Sequence, residues 1–233
     1  MKSNPQRWAA EYGQGGLPSS HRHTPSGAVV WAWEKIGTQQ AAMKQAVDIG
    51  CGKGRNSLFL ARQGMHVTAM DFTPNAIAAL QHAAEVEGLS PRIRALVYDV
   101  TEGWPVAEHS IDFAIDTFCF KHIVGNDARD SYRDNLIRAL AVRGWYLISF
   151  ASIGDGYYGQ YLPDASAPEG VIVDPANGIE SVLYTRDRVV QYFHNAFDLV
   201  AERIKDGPDV QHGKMYNRQT YALLFRHRVN ERP

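Results

Sequence analysis

The sequence predicts an α/β fold, a doubly wound and mostly parallel sheet with helices on both faces. Short apolar runs alternate along the chain with stretches of helical period and are separated by brief turns, the pattern of successive strand–helix units. One such run, Ala46-Val47-Asp48-Ile49, passes through Gly50, Gly52 and Gly54 directly into the helical pattern Ser57-Leu58-Phe59-Leu60-Ala61-Arg62. The 233 residues, 45% of them apolar, suit one domain with decorations and a substantial core, and no internal repeat breaks them up.

Taken in order, residues 1–26 are rich in Gly, Pro, Ser and His and show no sustained period. Gly13, Gly15, Gly16 and Pro18 should interrupt any helix, and His21-Arg22-His23 reads as solvated, with no third ligand nearby for a metal. From 25 to 36, Val29, Val30, Trp33 and Ile36 recur at helical spacing. The first strand covers 46–49, and the helix after it runs from about 56 to 63 and stops at Gly64. A strand leading through glycines into a helix N-terminus lets backbone approach a ligand and points free N–H groups at it. The spacing narrows the ligand. The dinucleotide fingerprint places its third glycine five positions after the first, whereas here it falls four positions on, and no G-K-[ST] ending follows to suit a triphosphate.

The stretch Asp48 to Gly54 resembles motif I of the class I S-adenosylmethionine (SAM) methyltransferases. Its continuation through Arg55, Asn56, Ser57 and Leu58 is similar to the small-molecule branch that holds tellurite-resistance and thiopurine-type enzymes. The resemblance implies SAM as cofactor, with Asp48, Gly50, Gly52, Gly54 and Asn56 at its methionine end. It also implies that residues 1–45 are an arm and lid helix in front of a domain spanning 46–233. Trp8, Tyr12 and Trp31 would then help close the site, or else merely cover the sheet edge.

The second strand, 66–70, ends at Asp71, 21 positions after Gly50. Parallel sheets place ligands at that edge, and the two oxygens of a carboxylate match the two hydroxyls of a ribose diol. Thr73-Pro74 supplies a cap and first-turn proline for the next helix, 74–87, which leaves Asp71 for the ligand. Phe72 would offer its ring edge to adenine. The third strand, 92–98, ends at Asp99-Val100, where a carboxylate can accept from the adenine amino group and a backbone N–H can donate to a ring nitrogen. The fourth strand, 111–117, runs into the aromatic-rich segment Phe118-Cys119-Phe120-Lys121-His122. The resemblance puts the backbone near Thr117 on the methionine amino group and the following loop, with Phe118, opposite the methyl acceptor.

A helix from about 127 to 142 with a stop at Gly144 is expected next, then a fifth strand over 145–151. Residues 152–183 form an insertion too long for an ordinary connection, and such segments tend to be functional. Its Asp155, Tyr157, Tyr158 and Tyr161 suit a small, flat or partly apolar acceptor, or pack as a surface hairpin. Thr185 caps a further helix, a sixth strand spans 199–204, residues 205–218 read as a polar turn, and a seventh strand spans 220–225. A closing antiparallel hairpin of the last two strands of a seven-stranded sheet is what the resemblance adds.

Lys and Arg number 24 against 25 Asp and Glu, a net charge of −1, so no overall basic field exists to hold nucleic acid or an anionic membrane. Two cysteines, Cys51 and Cys119, show no partner pattern, and neither a membrane-length apolar run nor a secretion signal is present; a reducing, cytoplasmic setting is expected. The expected activity is methyl transfer from SAM to O, N or S of a small acceptor, without metal. His122 is the candidate base, since imidazole titrates near neutrality. Asp155 and Tyr157 stand beside it as catalytic candidates, and Phe118, Tyr158 and Tyr161 as acceptor contacts. Lys121 reads as a solvated lysine, or as a holder of an acceptor carboxylate. A SAM-binding sensor or inactive partner subunit would carry the same motif I, and a nicotinamide-dependent oxidoreductase is disfavoured by the glycine spacing.

Overall fold

The computed structural model describes residues 5–228. Among them lies a seven-stranded sheet in the order β3-β2-β1-β4-β5-β9-β8. Strands β1 (Gln45–Ile49), β2 (His66–Asp71), β3 (Ile93–Val97), β4 (Ile111–Thr117) and β5 (Leu140–Ala151) pair in parallel. The last two, β8 (Phe197–Gln211) and β9 (Lys214–His227), form a hairpin that enters antiparallel, β9 against β5. This is the doubly wound sheet with a closing hairpin that the sequence predicts. The chain order reverses between β1 and β4, and that reversal opens a crevice at the C-terminal ends of the strands.

Both faces of the sheet are covered, so its strands alternate between two cores. Val47, Ile49, Ala114 and Ile148 pack beneath α6 (Asn126–Ala139) and α7 (Arg186–Phe193), around Tyr132, Leu136 and Phe193. Ala46, Phe113, Ile115 and Leu147 point the other way, onto α3 (Gly27–Ile36), α4 (Arg55–Arg62) and α5 (Pro74–Val86), with Val29, Trp33, Leu60 and Leu80. Thr185 caps α7 as expected, its hydroxyl accepting from Arg188 N at 3.1 Å.

Four departures have physical causes. Residues 5–21 are helical, as α1 (Pro5–Gln14) and a single turn α2 (Pro18–His21). Helix α1 runs through Gly13 because burial of Trp8 and Tyr12 outweighs glycine's low propensity. The helix expected to reach residue 142 stops at Ala139, where the chain enters β5 through an irregular pairing that places Arg143 at φ 61°. The insertion holds its own antiparallel pair, β6 (Glu169–Val173) and β7 (Glu180–Tyr184). The expected polar turn over 205–218 is instead the distal part of the β8–β9 ribbon. His212 (φ 47°) and Gly213 (φ 74°) make its two-residue turn, and Pro208 is tolerated because β8 is the sheet's edge and its missing N–H faces outward.

Candidate functional site

A cavity of about 920 Å³ runs along the C-terminal ends of β1 to β5, roofed by α1, the segment around Ser26 and the ribbon. Gly50, Gly52 and Asn56 line it from the first loop, Asp71 and Phe72 from the β2 tip, Asp99 and Val100 beyond β3, and Thr117 and Phe118 beyond β4. Residues scattered over the chain from 50 to 118 thus meet on one wall.

The glycines divide their labour. Gly50 (φ 66°) and Gly52 (φ 56°) lie in the left-handed region, and a Cβ on Gly52 would come within 2.8 Å of the Tyr12 hydroxyl. Gly54 (φ 80°) does not line the cavity; a Cβ there would sit 2.1 Å from Leu80 Cδ1, so it serves close packing of the loop on α5. Asp48 also stands back from the cavity, buried under α4, with Oδ2 accepting from Ser57 Oγ at 2.6 Å. Burial pushes its carboxyl up to about 7, the Ser57 bond pulling only partly the other way.

Asp71 anchors the β2 tip. Its Oδ2 accepts from Gly52 N at 2.9 Å and from the Tyr12 hydroxyl at 3.4 Å, and its Oδ1 from Thr73 N at 2.9 Å. Burial raises its carboxyl, partly offset by these donors. Thr73 makes no side-chain cap bond to α5, and its backbone N–H donates to Asp71. Asp99 accepts from both the N–H and the hydroxyl of Thr101 through Oδ1. Asn56 ties the roof to the floor, its Oδ1 accepting from Ser26 N at 2.8 Å and its Nδ2 donating to Thr117 Oγ1 at 3.0 Å. Trp8 and Tyr12 line the cavity, whereas Trp31 packs on the far core.

At the other end the expected catalytic groups are placed differently. His122 lines the cavity and packs edge-on against Trp8, but its Nδ1 lies 2.9 Å from the Glu180 carbonyl. Burial, with the neighbouring Lys121 charge, pushes its imidazole down to about 3. The titration near neutrality that recommended it as a base is therefore gone. Asp155, Tyr157 and Tyr161 stand behind the wall. Asp155 is buried against Arg218 (Nε–Oδ2 2.8 Å) and accepts from the backbone N–H of Tyr157, Tyr158 and Gln219. Tyr157 donates its hydroxyl to Asp174. These residues build the insertion onto the ribbon and leave Tyr158 and Phe118 facing the cavity.

Lys121 is not solvated. It is fully buried and lines the cavity, with Nζ 3.7 Å from the centre of the Tyr158 ring and no hydrogen-bond partner among the described residues. Desolvation lowers its ammonium to about 7. Ser149 and Arg218 also stand on this wall, and the sequence carries little that marks either. Ser149 was marked only by being polar within the apolar run of β5, and nothing local marks Arg218, whose partner is 63 residues away.

The reversal of strand order, the glycine cradle below it and the carboxylates at the tips of β2 and β3 define a class I SAM-dependent methyltransferase fold. Residues 46–144 match the methyltransferase domain family. The chain is 32% identical over 111 residues to the probable S-adenosyl-L-methionine-dependent methyltransferase TehB of Haemophilus influenzae. That match takes in 48% of the chain and 37% of TehB, so the chain spans little more than a third of the curated relative it matches. The solved TehB structure superposes with a TM-score of 0.64 at 23% identity, covering 87% of the chain and 62% of TehB. The 1,6-didemethyltoxoflavin-N1-methyltransferase of Burkholderia thailandensis, solved with 1,6-didemethyltoxoflavin and S-adenosylhomocysteine, reaches 0.70 at 19% identity over 97% of the chain and 87% of its own.

The residues present suit the cofactor of this family. A glycine loop that a Cβ would obstruct, a buried carboxylate at the β2 tip and a second beyond β3 all open on one cavity. Asp71 would hold the ribose, Asp99 and Val100 the adenine, and Gly50, Gly52 and Thr117 the methionine end.

Proposed function

We propose that the chain transfers a methyl group from SAM to an O, N or S atom of a small-molecule acceptor. When bound, SAM supplies a sulfonium-activated methyl group. The task left to the protein is to align the acceptor and keep water out. The observation that carries the reading is the cavity joining the glycine loop and acidic strand tips to an aromatic far end. Phe118, Tyr158 and Trp8 offer ring faces and edges to an apolar body beneath the roof of α1 and the ribbon. Residues 1–45 act as an arm and lid over the domain that follows; the Ser26–Asn56 bond and the cavity-facing Trp8 and Tyr12 support that reading.

A cavity of about 920 Å³ suits a small molecule rather than a polymer, and the 1,6-didemethyltoxoflavin-N1-methyltransferase that shares the fold was solved with 1,6-didemethyltoxoflavin bound. Near-zero net charge supports an acceptor other than nucleic acid, and the two free thiols suit a reducing, cytoplasmic setting. The test is incubation of the purified chain with SAM and a panel of small phenols, thiols, amines and carboxylic acids, read by mass spectrometry. A product heavier by one methylene together with S-adenosylhomocysteine is expected. Tight S-adenosylhomocysteine binding with no product from any acceptor would make the chain a sensor instead.

A further inference from the structure

Four buried side-chain polar atoms lack a hydrogen-bond partner among the described residues: Asp48 Oδ1, Thr73 Oγ1, Lys121 Nζ and Ser149 Oγ. Only Lys121 and Ser149 belong to residues that line the cavity, Lys121 in the turn after β4 and Ser149 on β5 beside Thr117. Both can donate. A buried donor left unmatched is costly, and the cost is greatest for a cation.

The charge balance of this end points the same way. Arg218 is neutralised by Asp155, Lys205 pairs with Asp209, and Asp174 receives the Tyr157 hydroxyl and lies 3.2 Å from His212 Nε2. Asp155 and Asp174 favour a charge on Lys121 and Arg218 opposes it, but none forms an ion pair with it. Its charge meets only ring faces, Tyr158 at 3.7 Å and Phe118 at 5.8 Å. A ring face is a weak substitute for an anion. The Tyr158 hydroxyl is held by one long bond, from Gln211 Nε2 at 3.3 Å, while its buried ring packs edge-on against Tyr157.

Resting on the methyl-transfer reading above, we propose that Lys121 and Ser149 form an oxyanion subsite. The methyl acceptor is then a small molecule carrying a carboxylate or equivalent oxyanion on an apolar body of about ring size. The oxyanion takes the place of the Tyr158 ring face at Nζ and accepts from the Ser149 hydroxyl, while Phe118, Tyr158 and Tyr221 enclose the body. Burial holds the free lysine near 7, so above that pH binding a carboxylate requires uptake of a proton, and affinity falls as pH rises.

The test is calorimetry on the full chain saturated with S-adenosylhomocysteine, titrated with benzoate and with its neutral analogue benzamide. Benzoate is expected to bind at least tenfold more tightly than benzamide, with an affinity level below about pH 7 and falling above it. K121M should abolish the preference and its pH dependence while S-adenosylhomocysteine affinity stays unchanged, K121R should keep the preference, and S149A should reduce it severalfold. Equal binding of the two probes, binding of neither, or a preference that survives K121M overturns the subsite. An affinity that falls below pH 7 instead would also overturn it, because the probe would then prefer the neutral amine. Failure of S-adenosylhomocysteine itself to bind would be a separate result, and would remove the methyl-transfer reading with it.

Discussion

At the β1–β3 end of the cleft, the strand-tip carboxylates are answered largely by backbone close in sequence or in the neighbouring loop: Asp71 by Thr73 N and Gly52 N, Asp99 by Thr101. At the β4–β5 end the partners come from far along the chain. Asp155 meets Arg218, Ser152 meets Gln219, and His122 meets Glu180 and Ser181. The first end is a rigid holder built from local rules. The second is assembled from an insertion and a ribbon around a cation that the protein itself leaves unanswered. A fold that keeps its cofactor grip while changing its acceptor needs this division, since loops can vary without disturbing strand tips.

That contrast can be broken at several points. The largest effect is expected from D155A, which leaves the Arg218 guanidinium buried and unpaired; loss of such a partner costs about 3–5 kcal/mol, read as a lowered chemical-denaturation midpoint. If the acceptor end were an independent appendage, D155A would instead disturb acceptor binding and leave stability untouched. At the cofactor end, G54A forces a Cβ against Leu80 from a left-handed backbone and should cost about 3 kcal/mol in the same measurement.

Function separates the ends more finely. D71N should weaken S-adenosylhomocysteine binding by ~1.5–3 kcal/mol, the worth of charged hydrogen bonds, as measured by calorimetry. Unchanged affinity would take Asp71 out of the site.

Lys121 sharpens the comparison through pH. Folding favours its neutral form, with the value moved from 10.5 to about 7, so its burial costs nothing above 10.5 and the cost is complete once pH falls below about 7. K121M should therefore raise the melting temperature by several degrees at pH 6, with the gain vanishing as pH approaches 10.5. A constant gain at all pH values would mean packing rather than charge. The smallest effect is expected from Y12F, because the Tyr12–Asp71 bond is long at 3.4 Å. Its loss should change S-adenosylhomocysteine affinity less than about threefold, near 0.5 kcal/mol. A tenfold loss would make Tyr12 part of the cofactor grip.

Legibility followed the same line. The strands, the glycine loop and the placement of Asp71 and Asp99 at strand tips could be read because periodicity, glycine conformation and sheet topology are set by neighbours in sequence. Helix α1 could not, since its stability comes from burying Trp8 and Tyr12 against elements far along the chain. The distal ribbon was missed because its strands carry polar residues on both faces, which period-two patterning cannot register. His122 illustrates the limit for chemistry: its residue type promised a base, and burial beside Lys121 took that away.

What the sequence by itself determined is the doubly wound sheet and its cofactor-facing edge, because both follow from hydrophobic period and backbone freedom. Only the tertiary structure decided which side chains line the far end of the cavity and in what charge state. Burial and long-range pairing set those, and neither has a local signature: Lys121 is one lysine among exposed ones until Tyr158, 37 positions on, closes over it.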